Sequence, residues 1–211
     1  MKQTTLLFCT LAFLFSCADQ KEKPVHVTEK AVVKAATAEA RPDSSTMMKN
    51  WAEYMEPGKE HKMMASWNGT WKTSITMWMT PDAPPSKTTG TTVNKTVLGG
   101  RYQQSTNKAT WDDMPFEGQS TLAFDNFRKV FISTWIDNMG TGIMVAEGPW
   151  DEATKSITLK GKMMDPTLRK EVDFREVFKV VDDNTQVMEM YASAEGGKEF
   201  KTMEMRYTRS N

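Results

Sequence analysis

One carboxylate stands out because it interrupts an apolar face. The residues that alternate along this segment are Val172, Phe174, Phe178 and Val180, and Glu176 shares their parity. Successive side chains of a strand point to opposite sides, so Glu176 is expected to point inward. A buried carboxylate needs a partner or a shifted pKa. Glu176 is therefore a candidate ligand anchor for a polar or cationic group. The alternatives are a structural ion pair with Arg101 or Arg209, or a bulge that turns the side chain outward.

Further candidates lie beside glycine turns. Trp135 and Asp137 share one face of a segment that runs into Gly140-Thr141-Gly142. Two readings of Asp137 stay open, since it is placed either to cap this turn through backbone amides or to form the rim of a ligand site. Arg101 follows Gly99-Gly100, and it is expected to point into the interior as a receiver for an anion or as the counter-ion of Glu176.

The residue types argue against most catalytic and metal chemistry. There is no nucleophile elbow, phosphate loop or His-Glu-x-x-His motif, and the two histidines, His26 and His61, both precede the strand region. Of the 17 methionines, six form pairs two apart on predicted strands, which favours core packing over a Cu(I) site: Met77 and Met79, Met188 and Met190, and Met203 and Met205. We therefore expect no metal and no cofactor, haem included. Glu176 and Asp137 leave a carboxylate pair as the basis of a hydrolase or isomerase alternative.

The elements that must position these residues follow a period of two. Ten strands are predicted, at roughly 70–79, 88–97, 101–110, 119–125, 129–137, 142–148, 156–163, 171–181, 185–192 and 198–209. Their connections are too short for crossover helices, so the sheet is antiparallel. Repeated apolar and polar faces favour closure into an all-β barrel, and ten strands leave room for a cavity. A short helix between Ser44 and Glu56, capped by Ser44 or Ser45, is expected to serve as its lid or plug.

The N-terminus predicts an exported lipoprotein. Lys2 precedes an apolar run from Leu6 to Phe15, which is too short to span a bilayer, and Ser16-Cys17 follows. We expect a signal peptide at 1–16, a lipidated Cys17 that begins a flexible tether at 17–45, and a barrel domain with its helix at 46–211. The membrane reached through this anchor, most often the bacterial outer membrane, is an expected partner. The chain has 27 basic and 27 acidic residues and therefore no basic excess, so nucleic acid is not an expected partner.

Several motifs together resemble a known bacterial family. They are Gly69-Thr70-Trp71, Leu98-Gly99-Gly100-Arg101-Tyr102, Pro115-Phe116-Glu117-Gly118, Trp135-Ile136-Asp137-Asn138-Met139-Gly140-Thr141-Gly142 and Met203-Glu204-Met205-Arg206-Tyr207. The pattern is similar to domain of unknown function 1579 over about residues 50–209. This resemblance implies a domain and names no activity.

The first strand also resembles a second group of proteins. Gly69-Thr70-Trp71 is similar to the Gly-x-Trp opening of lipocalins and other calycins, in which the tryptophan closes one barrel end under an arginine of the last strand. The resemblance implies a calycin-like barrel in which Arg209, or else Arg206, stacks on Trp71. The leading functional prediction is an envelope protein that binds a small, mostly apolar ligand through Trp71, Arg101, Trp135, Asp137 and Glu176. The alternatives are a structural module without a ligand and the carboxylate enzyme.

Overall fold

The computed structural model describes residues 41–193 and 197–210. The predicted signal peptide, Cys17 and most of the predicted tether lie outside the described residues. The elements are α1 (Ser44–Met55), α2 (Lys59–Ser66), β1 (Gly69–Met77), β2 (Ser86–Val97), β3 (Tyr102–Trp111), β4 (Met114–Asp125), β5 (Val130–Asp137), β6 (Met144–Gly148), β7 (Trp150–Asp151), β8 (Ser156–Asp165), β9 (Lys170–Asp182), β10 (Thr185–Ser193) and β11 (Glu199–Arg209). No helix among the described residues combines the length and the apolar character that a membrane crossing requires.

Ten of the strands form a closed antiparallel barrel. Neighbours in sequence pair from β1 to β6 and from β8 to β11, and the ring closes where β1 pairs with β11 and β6 pairs with β8. The two-residue strand β7 adds to β8 alone. The all-β, ten-stranded, antiparallel barrel predicted from the alternation is therefore confirmed, with a short N-terminal helical segment before it.

The hairpin between β3 and β4 is longer than the sequence pattern indicates. β4 begins at Met114 and not near residue 119, so the ladder continues to the pair Trp111 and Met114. The turn consists of Asp112 and Asp113, whose φ angles are 46° and 64°. Two residues with positive φ match the twist of the flanking strands, and aspartate tolerates this conformation better than most residues do. Asp112 and Asp113 therefore form a tight turn, and Pro115 and Phe116 belong to β4.

The sequence predicted one helix as a lid or plug of the barrel, whereas the structure has two helices, and only the second contributes buried residues. α1 is capped by Asp43, whose carboxylate accepts from the Thr46 amide at 2.8 Å, and not by Ser44 or Ser45. No residue of α1 is buried, so the prediction that this helix plugs the barrel is wrong. The plug is α2, which packs Met64 among the core residues, and the adjoining Trp67 follows it. α1 has the more pronounced apolar stripe of the two helices, but the residues of that stripe are exposed to solvent.

The register places chemically different side chains on the two inner walls. On β2 and β3 the inward positions are largely neutral and polar: Thr92, Asn94, Thr96, Gln103, Ser105 and Asn107. On β4 and β5 the polar Ser120 and Ser133 alternate with apolar Leu122, Phe124, Phe131 and Trp135. On β8 to β11 they are largely apolar: Ile157, Leu159, Phe174, Phe178, Met188, Met190, Met203 and Met205. The interior is therefore amphipathic from one side to the other.

Candidate functional site

The barrel end beside α2 is sealed. Trp71 is fully buried and donates from Nε1 to the Trp67 carbonyl at 2.9 Å. The Arg209 guanidinium lies 4.2 Å from the centroid of the Trp71 ring and donates to the carbonyls of Asn68 and Ser66. The stacked pair inferred from the calycin resemblance is present, and Arg209, not Arg206, provides the cation. This end holds structure together and offers no opening to a ligand.

His61 belongs to the same seal. It lies on α2, accepts from the Gly58 amide through Nδ1 at 3.0 Å, and meets the Phe124 ring edge-on at 5.9 Å between centroids. Burial is the largest of the effects that lower its pKa below the usual value. A buried histidine that fixes the start of α2 is not placed to serve as the base of a serine nucleophile.

Glu176 points into the barrel, as strand parity predicted. Its cross-strand neighbours are Leu159 on β8 and Met190 on β10, both inward-facing. Burial alone raises the pKa of the carboxyl group to about 7, with no contribution from a hydrogen bond or a charged partner. Among the described residues, none forms a hydrogen bond or an ion pair with it. The bulge and the structural ion pair that the sequence left open are therefore both wrong.

The carboxylate borders space inside the barrel. Four side chains face inward and are nevertheless only half-buried: Glu176, Phe178, Met190 and Tyr207. Since these positions face the inside of a closed ring, the surface that they expose lines its interior. Leu159, directly opposite Glu176 on β8, is by contrast buried, as is Trp71 at the α2 end. Burial thus varies among neighbouring inward side chains, and Glu176 is among those that keep exposed surface.

Two polar groups of the interior were missed by the sequence reasoning. Within the described part of the chain, the Tyr207 hydroxyl has a single hydrogen bond, to the Met205 sulfur at 3.5 Å, and burial together with the Glu176 charge raises the pKa of this tyrosine. The side-chain oxygen of Asn94 is buried without a hydrogen-bond partner in the described part of the chain. Tyr207 could have been found by parity, because it alternates with Met203, Met205 and Arg209. Asn94 carries no comparable signal, since its place follows from the register alone.

Arg101 lies elsewhere than predicted. Its guanidinium donates to the carbonyl of Leu98 at 3.3 Å and to that of Met55 at 2.8 Å, so it ties α1 to the turn before β3. The residue belongs to this turn and precedes the first strand residue, Tyr102. The predictions that Arg101 receives an anion in the interior or neutralises Glu176 are wrong.

Trp135 and Asp137 form a self-contained unit at the barrel end far from α2. Trp135 donates from Nε1 to Asp137 Oδ2 at 2.7 Å, and Asp137 Oδ1 accepts from the amides of Met139 and Gly140. The indole fills the position that a Cβ on Gly118 would occupy, 2.3 Å from a ring carbon. The turn-capping role of Asp137 is present in full, while a part in a ligand rim stays a prediction. Both of its oxygens accept hydrogen bonds within this unit, and the carboxylate pair of Asp137 with Glu176 stays a prediction.

The outer surface offers less specific chemistry. Depressions of about 690 and 320 Å³ lie on the outside, the first beside the C-terminal end of α1 and the second along β4 and the β5–β6 connection. Neither is lined by Glu176. In the described ranges, no cluster of histidine, cysteine, aspartate and glutamate has the composition of a metal site.

The fold and the interior define a class: a closed antiparallel β-barrel with a helical plug at one end and an unpartnered carboxylate inside. The chain belongs to the protein family of unknown function DUF1579, whose model matches residues 56–209. A comparison with curated proteins gives no match.

Solved structures agree with the fold. The crystal structure of Rv2717c from M. tuberculosis is similar at a TM-score of 0.57 and 14% identity, covering 74% of this chain and 100% of that one. A redesigned β-barrel is less similar, with a TM-score of 0.36 and 11% identity over 70% of this chain and 95% of that one. The first likeness supports the calycin-like architecture and extends to the fold alone.

Proposed function

We propose that the barrel binds a small, mostly apolar molecule in its interior, with Glu176 as the polar contact. The observation that carries this proposal is an inward-facing carboxylate that has no partner in residues 41–193 and 197–210, beside partly exposed aromatic and thioether side chains. A barrel that served structure alone would gain stability from an apolar residue at this position, because a desolvated carboxylate costs free energy. Ligand pockets are typically apolar with a few polar groups that fix orientation.

The first test looks for a bound molecule and for its dependence on Glu176. Native mass spectrometry of the purified chain should show an added mass, which Glu176→Gln should reduce at least several-fold while the fold is retained. Glu171→Gln is the matched control, because Glu171 lies on the same strand with its side chain exposed. An added mass that is equally abundant in both variants would remove Glu176 from the site. Absence of any bound mass, even after incubation with lipid extract, would count against ligand binding itself.

We also propose that the chain is a lipoprotein anchored in the cell envelope, with the outer membrane as the expected location. The apolar run from Leu6 to Phe15 followed by Ser16-Cys17 supports this proposal. α1 adds support, because its stripe of Met47, Met48, Trp51, Tyr54 and Met55 is exposed and would suit the vicinity of a lipid surface.

Cys17→Ser should abolish incorporation of labelled palmitate and lower the membrane-bound fraction, because the thiol is the proposed acylation site. Cys9→Ser is the matched control, since it removes the other cysteine of the chain and should leave labelling unchanged. Metabolic labelling followed by fractionation gives both readouts. Palmitate labelling that persists in Cys17→Ser would show that the anchor has been assigned to the wrong residue.

A further inference from the structure

Between its two ends, the inner wall of the barrel carries one sign of charge. There the described inward positions hold a single acidic or basic side chain, Glu176, which is negative when it is ionised. Asp137, Asp165, Lys170 and Arg209 share the inward parity but lie at the barrel ends. Its cross-strand neighbours are Leu159 and Met190, and the Glu176 charge contributes to raising the pKa of the Tyr207 phenol, which stays neutral. The opposite wall, on β2 and β3, offers hydroxyl and amide groups without charge.

No described cation is available to balance a negative ligand in this space. Arg209 faces inward at the α2 end, but its guanidinium is taken up by the Trp71 ring and by the carbonyls of Ser66, Asn68 and Asp183. Arg101 is engaged outside, between α1 and the turn before β3. Lys170 is the register partner of Asp165 at the start of β9, which lies at the barrel end far from α2. The Lys170 side chain is exposed there. An alkyl carboxylate would therefore meet Glu176 without a counter-ion.

We infer that the interior selects amphiphiles with a cationic head, of the alkylammonium class, over alkyl carboxylates of the same length. This inference rests on the proposed ligand-binding function. The apolar chain would lie along the methionine and phenylalanine wall, and the ammonium group would donate to Glu176. The hydroxyl and amide groups of the opposite wall would accept the remaining ammonium protons or hold water molecules that do so.

The physical reason is the desolvation of Glu176. Charges interact more strongly where water is scarce, so an ammonium group beside this carboxylate gains more than it would at the surface. The same setting makes a second negative charge unfavourable. Since burial raises the pKa of Glu176 to about 7, the apo carboxyl group is largely protonated in mild acid, and a bound cation must displace that proton. Affinity for the cation should therefore rise as the pH increases from about 5.5 to 8.

Three probes of equal chain length test this selectivity: decylammonium, decan-1-ol and decanoate, titrated into the purified chain by calorimetry. At pH 8, decylammonium should bind at least about tenfold more tightly than decanoate, with decan-1-ol between them. Glu176→Gln should reduce the cation's advantage over the alcohol to less than about threefold while the alcohol still binds. Glu171→Gln should preserve the full order. At pH 5.5 the wild-type preference for the cation should shrink.

The outcomes separate the two proposals. Binding of the alcohol and the carboxylate with affinities equal to or above that of decylammonium would overturn the charge selectivity and leave ligand binding intact. A preference for the cation that survives in Glu176→Gln would also overturn it, because the charge would then act from another residue. Failure of all three probes to bind, together with the absence of any co-purifying molecule, would overturn the proposed function itself.

Discussion

Trp71→Ala should lower the free energy of unfolding by about 3–5 kcal/mol, the range typical for truncation of a large buried aromatic residue. The side chain is fully buried. Its removal also ends the hydrogen bond to the Trp67 carbonyl and takes away the ring on which the Arg209 guanidinium is stacked. Because these contacts join β1, β11 and the end of α2, the loss should appear as a lower midpoint of a cooperative transition in chemical denaturation.

The matched control is Trp51→Ala, which removes the same side chain from a position that is 60% exposed on α1. That variant should change the free energy of unfolding by less than about 0.5 kcal/mol, as surface substitutions usually do. A loss below about 1 kcal/mol for Trp71→Ala would mean that the tryptophan does not close the barrel. The analogy with the tryptophan-closed barrel end of calycins would then be wrong.

The fold was predictable because nearly every strand has one face toward the core and one toward solvent. That alternation survives in β8 and β9, whose observed bounds differ from the predicted ones by no more than two residues. It fails where local turn chemistry decides the outcome. The β3–β4 turn depends on two aspartates that adopt positive φ. A pattern of hydrophobicity does not indicate the backbone conformation of single residues, so it did not predict this turn.

The helices show a different limit of sequence patterning. α1 has the stronger apolar stripe, with Met48, Trp51 and Met55 at helical spacing, and was therefore the predicted plug. α2 is shorter and more polar, yet it contributes Met64 to the core. An amphipathic pattern shows that a helix has an apolar face, but it does not show which surface covers that face.

The candidate site was likewise predictable only in part from the sequence. The inward direction of Glu176 follows from parity, which is a local property of its own strand. The absence of a partner is not local, because it depends on which residues the register places beside β9. Arg101 was the expected counter-ion since it follows two glycines, but the turn that they allow carries its side chain toward Met55 instead. Sequence spacing could thus locate the carboxylate but not its surroundings.

Glu176→Gln should stabilise the protein at pH 8 and have little effect near pH 4. In the folded chain, burial raises the pKa of Glu176 to about 7, above the ordinary value of 4.5. Between these values the folded state binds more protons than the unfolded state, so this residue makes stability fall as the pH rises through that window. Above pH 7 the ionised carboxylate carries the whole penalty, which is about 3 kcal/mol for a pKa raised from 4.5 to about 7, and less where water reaches the group.

Glutamine keeps the shape of the side chain and cannot ionise, so the variant should lack this pH dependence. Chemical denaturation of both proteins from pH 4 to 8 measures it as a difference that grows with pH. Glu171→Gln, on the exposed face of the same strand, should follow the wild type throughout. A structural ion pair would give the opposite sign, since breaking a buried pair strands its partner and destabilises by about 3–5 kcal/mol. Destabilisation of Glu176→Gln at pH 8 would therefore show that the carboxylate has a partner after all, and the reason to regard it as a ligand anchor would be lost.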